Sequence, residues 1–185
     1  MIMKRFQQIV LTSCLLASSI SYAQNFKVTS PDIKQGKLTE SQVFNGFGCT
    51  GQNISPALTW KNAPKNTKSF AVTVYDPDAP TGSGWWHWVV YNIPADSQQL
   101  ATGAGSENST NLPSGAVQGR TDFGSHSFGG ACPPQGHGLH RYIFTVHALK
   151  VDKLELPAEA SAAMIGYMIN ANQIAKTSFT AKYGR

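Results

Sequence analysis

Charge is scarce in this 185-residue chain: Asp, Glu, Lys and Arg together make up 14% of it, against about 25% in ordinary soluble domains. No Lys/Arg cluster or basic stripe occurs anywhere, so the formal charge of +5 does not amount to a nucleic-acid footprint. No repeat, low-complexity tract or heptad pattern is present, which excludes solenoids and coiled coils. No apolar run reaches the ~20 residues that a membrane-spanning helix needs. Catalytic signatures are missing as well: there is no Gly-x-Ser-x-Gly elbow and no His-Glu-x-x-His zinc motif. Asp122-Phe123-Gly124 is the kinase metal-binding tripeptide, but no Gly-rich loop, partner lysine or catalytic loop accompanies it.

What apolar stretch there is lies near the start. Met1-Ile2-Met3-Lys4-Arg5 is a positive n-region, Ile9 to Ile20 is short and apolar, and Ser21-Tyr22-Ala23 has the small-x-small pattern of a signal peptidase site. Residues 1–23 therefore read as a signal peptide cleaved after Ala23, leaving 24–185 as a single exported domain, periplasmic or secreted. A lipoprotein box at Leu11-Thr12-Ser13-Cys14 competes with this, with a poor h-region that Gln7-Gln8 interrupt. Without the leader, 13 basic residues face 10 acidic ones, a balance that keeps a protein soluble and mildly favours anions. Cysteine is down to two, Cys49 and Cys132. In an oxidising compartment that pair reads as a disulfide; two separate buried thiols are the bland alternative.

Glycine (17) and proline (10) mark many turns between short strands. Ser69 to Tyr75, His87 to Ile93 and Arg141 to Leu149 alternate with period 2 and are apolar on both faces, as central strands covered on both sides would be; Phe26 to Thr29 is a fainter case. The loops Asp76–Gly84, Ala101–Ser114 and Gly124–Gly138 are long, and long ordered loops tend to carry function. Pro157 suits a first helical position, and Met164, Tyr167, Met168, Ala171 and Ile174 then follow helical spacing. The expectation is a mainly β, antiparallel protein with one substantial helix. Alternation places His87 with Val89 and Tyr91, opposite Trp86 and Trp88, and places His140 with Tyr142 and Phe144. If the three strands are neighbours, Asp76, His87 and His140 meet at one end of a sheet.

Two runs are the most informative. The first is Asp76-Pro77-Asp78-Ala79-Pro80, a Gly/Ser turn, then Trp85-Trp86-His87-Trp88. The second is Gly129-Gly130-Ala131-Cys132-Pro133-Pro134, then Gly138-Leu139-His140-Arg141-Tyr142. In this order and spacing they resemble the two signature regions of the phosphatidylethanolamine-binding protein family, also called Raf kinase inhibitor proteins. Asn53-x-Ser55-Pro56-x-Leu58-x-Trp60, Gly119-Arg120-x-Asp122-Phe123-Gly124 and the tail Ala181-Lys182-Tyr183-Gly184-Arg185 are similar to the bacterial YbhB/YbcL branch, whose exported YbcL-type members look nearest.

The resemblance implies a two-sheet antiparallel β-sandwich with a small anion-binding pocket at one end. It implies ligand contacts from Asp76, His87, Pro134, His140 and Tyr142, with Cys132 and Pro133 beside them and either Trp85 or Trp86 as an aromatic wall. Cys132 stands where the family usually has glycine, so a side chain is expected to reshape the mouth. The C-terminal helix of the eukaryotic members has no counterpart, because Thr177 to Tyr183 reads as a strand.

These residue types suit an anion. Protonated histidine offers two N–H donors in charge-assisted hydrogen bonds, and Asp76 beside His87 or His140 would raise that histidine's pKa. Prolines 77, 80, 133 and 134 reduce the entropy of ordering the loops, and Ala79-Pro80 is a candidate cis bond. In supporting positions, Asp78 either touches ligand or braces its own turn, Asp122 is structural or lies near the pocket, and Arg141 makes a buried ion pair. His126, His137 and His147 default to loop or strand roles. The His137–His140 spacing is the one hint of a metal, and no metal or cofactor is expected. The expected function is a non-enzymatic binder of a small phosphate-like or carboxylate ligand, with a protein target as an extension and a dimer as the oligomeric state to test. Competing readings are a hydrolase using Asp76, His87 and His140, and a sugar-stacking surface on the tryptophans.

Overall fold

Three strands with apolar residues on both faces occupy the middle of the larger sheet. The computed structural model describes residues 25–185, so the expected signal peptide and Cys14 lie outside the described residues. In chain order the elements are β1 (Lys27–Thr29), β2 (Asn45–Gly46), β3 (Cys49–Thr50), β4 (Leu58–Lys61), β5 (Ser69–Asp76), β6 (Trp85–Pro94), β7 (Gln99–Leu100), β8 (Val117–Gln118), β9 (His140–Leu149), α1 (Ala162–Asn172) and β10 (Gln173–Tyr183). A five-stranded sheet has the order β10-β9-β5-β6-β8 and a three-stranded sheet the order β1-β4-β7, with every pairing antiparallel. The expected C-terminal strand is β10, longer than its apolar signal indicated. β2 and β3 form a separate two-stranded ribbon.

The main core lies between the two sheets. Val28, Trp60 and Leu100 of the small sheet meet Val72, Trp88, Val90 and Phe144 of the large one. On the outer face of the large sheet, Ile165 and Ile169 of α1 pack on Ala71, Val89, Tyr91 and Leu149. Both faces of β5, β6 and β9 are thereby covered, as their apolar composition requires. The architecture is the expected antiparallel sandwich with one helix. None of the helices among the described residues is long and apolar enough to cross a membrane.

The helix corrects two expectations. It begins at Ala162 rather than Pro157, with Ser161 as N-cap accepting a hydrogen bond from the Met164 N–H at 3.2 Å. It buries Ala162, Ile165 and Ile169, whereas Met164 and Tyr167 are 46% and 71% exposed. A helix without a charged residue offers two apolar stripes at helical spacing, and periodicity cannot choose between them. Fit against Ala71 and Val89 chose. Ile174 belongs to β10, because pairing of Gln173 with Leu149 ends the helix.

One buried group on the outer face titrates far from its ordinary range. His147 of β9 donates from Nδ1 to the Gln173 side-chain oxygen at 2.6 Å and accepts at Nε2 from the Thr73 hydroxyl at 3.1 Å. Burial pushes its pKa down from 6.5 to about 4. The folded state therefore resists protonation that the unfolded chain accepts. Its stabilising effect is complete above pH 6.5 and is lost as pH falls toward 4, a loss of about 3 kcal/mol. Urea unfolding between pH 7 and 4.5 should follow this slope, and His147→Gln should flatten it. An unchanged slope in the variant would remove His147 as the cause.

Candidate functional site

In the order β9-β5-β6, the last residue of β5 lies beside the first residues of its two antiparallel neighbours. Asp76 pairs with Trp85, and Tyr75 pairs with Ile143. Asp76, Trp85, His87, His140 and Tyr142 thus arrive at one sheet end. There they line a cavity of about 150 Å³ together with Cys132, Pro133 and Pro134. The acidic turn closes it through Ala79, Pro80 and Thr81, and Phe47 and Phe123 complete the wall.

A β-bulge decides which aromatic side chain faces the cavity. The β5–β6 register passes from Val74↔Trp88 to Tyr75↔Trp86, leaving His87 as the extra residue. Strict alternation would have put His87 on the helix side with Val89. Instead Trp86 takes that side, packed near Val89 and Tyr91 and against the Tyr75 ring at 4.7 Å. Trp88 enters the sandwich core. His87 turns to the cavity, 5.1 Å from the Tyr142 ring centre to centre. Trp85 is the pocket wall; Trp86 is not.

Each polar group is held from a specific place. The His140 Nδ1–H donates to Asp76 Oδ2 at 2.7 Å, with both residues buried. The other Asp76 oxygen accepts the Asp78 N–H at 2.8 Å and closes the turn. His87 donates from Nδ1 to the Gly129 carbonyl at 2.7 Å, and the Gly129 N–H returns a bond to the His87 carbonyl at 2.8 Å. Gly129 has no room for a side chain, since a Cβ there would strike the Phe123 ring. Its neighbour Gly130 is pinned by the Asn53 side chain at 2.7 Å. Of the two histidines offered to Asp76 it is His140 that it bonds, and at His87 burial, the largest influence, pushes the pKa down, outweighing the Gly129 bond and Asp76. At neutral pH its Nε2 is therefore a lone pair. The Tyr142 hydroxyl is buried with no hydrogen-bond partner among the described residues, and burial together with Asp76 pushes its pKa up.

The supporting residues stand behind the cavity. Asp78 accepts bonds from the Arg141 N–H, Nε and Nη2, at 2.7 to 3.3 Å. The Arg141 hydrogen bond is the main reason its pKa falls to about 2. This ion pair ties the acidic turn to β9 and is exposed, not buried as expected. Asp122 accepts the Trp86 N–H at 2.8 Å and holds neither Arg120 nor Arg141. No cis peptide occurs among the described residues, so Ala79-Pro80 is trans. Cys132 is bonded to Cys49, which fastens the β2–β3 ribbon to the Pro133-Pro134 wall.

Three contributors escaped the sequence. Phe47 and Gly48 form the ribbon's turn with φ of 52° and 78°, a left-handed pair that favours Asn-Gly. A phenylalanine there holds a strained backbone and sets a 68% exposed ring, stacked on Phe123, at the cavity wall. Glycines on both sides of Phe47 were the available signal. Phe123 was hidden in the kinase-like tripeptide. His137 sits with its Nδ1 2.8 Å from His140 Nε2, and the 137/140 spacing was its only trace.

The family model for phosphatidylethanolamine-binding protein matches residues 29–184. The chain is 56% identical over 176 residues to the UPF0098 protein YbcL of Escherichia coli K12, covering 95% of this chain and 96% of that protein. It is 51% identical over 158 residues to the UPF0098 protein YbhB of the same strain, covering 85% and 99%. The crystal structure of E. coli YbcL, described as a new member of the mammalian PEBP family, superposes with a TM-score of 0.84 at 58% identity, covering 86% of this chain and 98% of that one.

Proposed function

Because this chain belongs to the phosphatidylethanolamine-binding protein family, we propose that it is an exported, non-enzymatic binding protein whose cavity takes a small oxyanion of the phosphate-monoester or carboxylate class. The observation that carries this is the orphaned Tyr142 hydroxyl, buried in the same cavity wall as His87 and His140. A buried hydroxyl without a partner costs about 1–3 kcal/mol and is retained where a ligand supplies the missing bond. The cavity's size suits one small polar group rather than a chain of sugars, and Trp85 alone of the tryptophans faces it.

No Lys or Arg lines the cavity, while Asp76 does. An incoming anion must therefore arrive with a proton or draw one onto histidine. His87 Nε2 accepts such a proton, so binding takes up protons and affinity rises as pH falls from about 8 to 6. Acetate, fully charged throughout that range, isolates the protein's share of the effect. Calorimetry and NMR titration with inorganic phosphate, phosphoethanolamine and acetate should detect binding. His87→Ala and His140→Ala should each weaken it by about tenfold or more, the scale of one charge-assisted hydrogen bond. Tyr142→Phe should separate function from folding: it removes an unsatisfied hydroxyl and leaves stability equal or higher, yet lowers affinity. Absence of any response to the three anions would end this proposal. A phosphatase and esterase screen with metal analysis tests the hydrolytic alternative.

Export is supported by the extent of the likenesses. The match to YbcL runs over 176 residues, more than 25–185 contain, whereas YbhB is 99% covered within 158. The N-terminal segment is thus shared with one relative and dispensable to the other. Mass spectrometry of the mature protein should find Gln24 first. A protein target and a dimer belong to the same proposal, and pull-down and light scattering test them.

A further inference from the structure

His140 lines the cavity, yet neither of its ring nitrogens is free. Nδ1 carries the hydrogen donated to Asp76 at 2.7 Å, because a carboxylate only accepts. Nε2 faces His137 Nδ1 at 2.8 Å, with the two rings edge to face at 5.0 Å. Two nitrogens at that distance share one hydrogen: two would collide, and none would leave lone pairs opposed. Whichever ring holds it, His140 has no donor left for a ligand.

His137 is built to move. Its ring is exposed, and its side chain bonds only to His140 among the described residues. It stands between Gly136 (φ 76°) and Gly138 (φ 89°), and nothing lies within 4 Å of where either Cβ would be. The loop base stays anchored, with the His137 N–H on the Pro134 carbonyl and the Gly136 N–H on the Arg185 carbonyl. Small rotations at the two glycines would swing the imidazole off without disturbing the Pro133-Pro134 wall.

Resting on the anion-binding reading above, we infer that His137 is a specificity-determining residue: it holds His140 Nε2 in the ligand's place and is displaced only by an anion that arrives with a proton or draws one onto that nitrogen. For an N–H on His140 Nε2, an imidazole lone pair competes well with amides, alcohols and carbonyls. It loses to a charged oxygen, whose bond to an N–H is about twice as strong. The pocket thereby rejects neutral polar molecules and admits oxyanions.

The test compares the full protein with His137→Ala by calorimetry, using inorganic phosphate, acetate and the neutral mimic acetamide. ¹⁵N NMR of the histidine rings runs alongside. The variant should bind phosphate about tenfold more tightly and gain measurable acetamide binding. Adding phosphate to the unmodified protein should move the His137 ring nitrogens to solvent-exposed shifts, which a merely structural residue would not do. Equal phosphate constants in the two proteins overturn the inference and leave the anion site standing. Weaker binding in the variant also overturns it, by making His137 a direct ligand contact. No anion binding in either protein sinks the inference and the binding reading together.

Discussion

Replacing Cys49 and Cys132 together by serine is expected to lower the unfolding free energy by about 4–5 kcal/mol, the chain-entropy value for a bridge that spans 83 residues. That is a large fraction of the 5–15 kcal/mol typical of a domain. The folded state should barely notice, because other ties hold the same two loops. The Phe44 N–H bonds the Ala131 carbonyl and the Ala131 N–H bonds the Gln42 carbonyl, both at 3.0 Å. The Arg185 guanidinium reaches the carbonyls of Pro133, Gly48 and Phe47 at 2.7, 3.1 and 3.4 Å. Phosphate affinity should therefore change by less than about threefold while stability drops. Urea unfolding with and without reductant measures the first, and calorimetry at a temperature where both proteins are folded measures the second. A stability loss under about 1 kcal/mol would mean that the denatured chain already keeps these loops together.

Asp76→Ala should cost about 2–6 kcal/mol, because it leaves two donors unsatisfied at about 1–3 kcal/mol each. Asp76 is 2% exposed and accepts from both the His140 ring and the Asp78 N–H. Alanine would leave both donors without an acceptor in a place that water reaches poorly. Asp76→Asn keeps the shape and one good acceptor, so about half the loss is expected. Equilibrium unfolding of the three proteins at pH 7 decides the matter. An alanine variant within about 1 kcal/mol of the parent would show that the pair contributes little to folding.

How far each feature was legible follows from what kind of signal it leaves. The central strands were readable because burial on both faces demands apolar residues at every position, and no turn can imitate that. The disulfide was readable from the parity of cysteines in a chain read as exported. Asp76, His87, His140 and Tyr142 were found through their motifs, and the neighbouring strands needed to join them were a condition that the fold then met. Trp85 against Trp86 could not be settled, because the bulge at His87 reverses the alternation between them and the rest of the strand. The helical spacing of Met164 and Tyr167 could not show which face is buried, because an uncharged helix carries two equivalent stripes.

Sequence by itself determined the core strands, since composition and short-range periodicity record burial directly, while the motifs carried the resemblance that implied the layers, the family and the chemical types gathered for the site. Tertiary structure alone decided the direction of each side chain at the sheet end, the lowered pKa of His87 and the pairing of His137 with His140. Those depend on register, on desolvation by residues distant in the chain, and on which of two nitrogens meets which neighbour. None of these leaves a local trace in the order of amino acids.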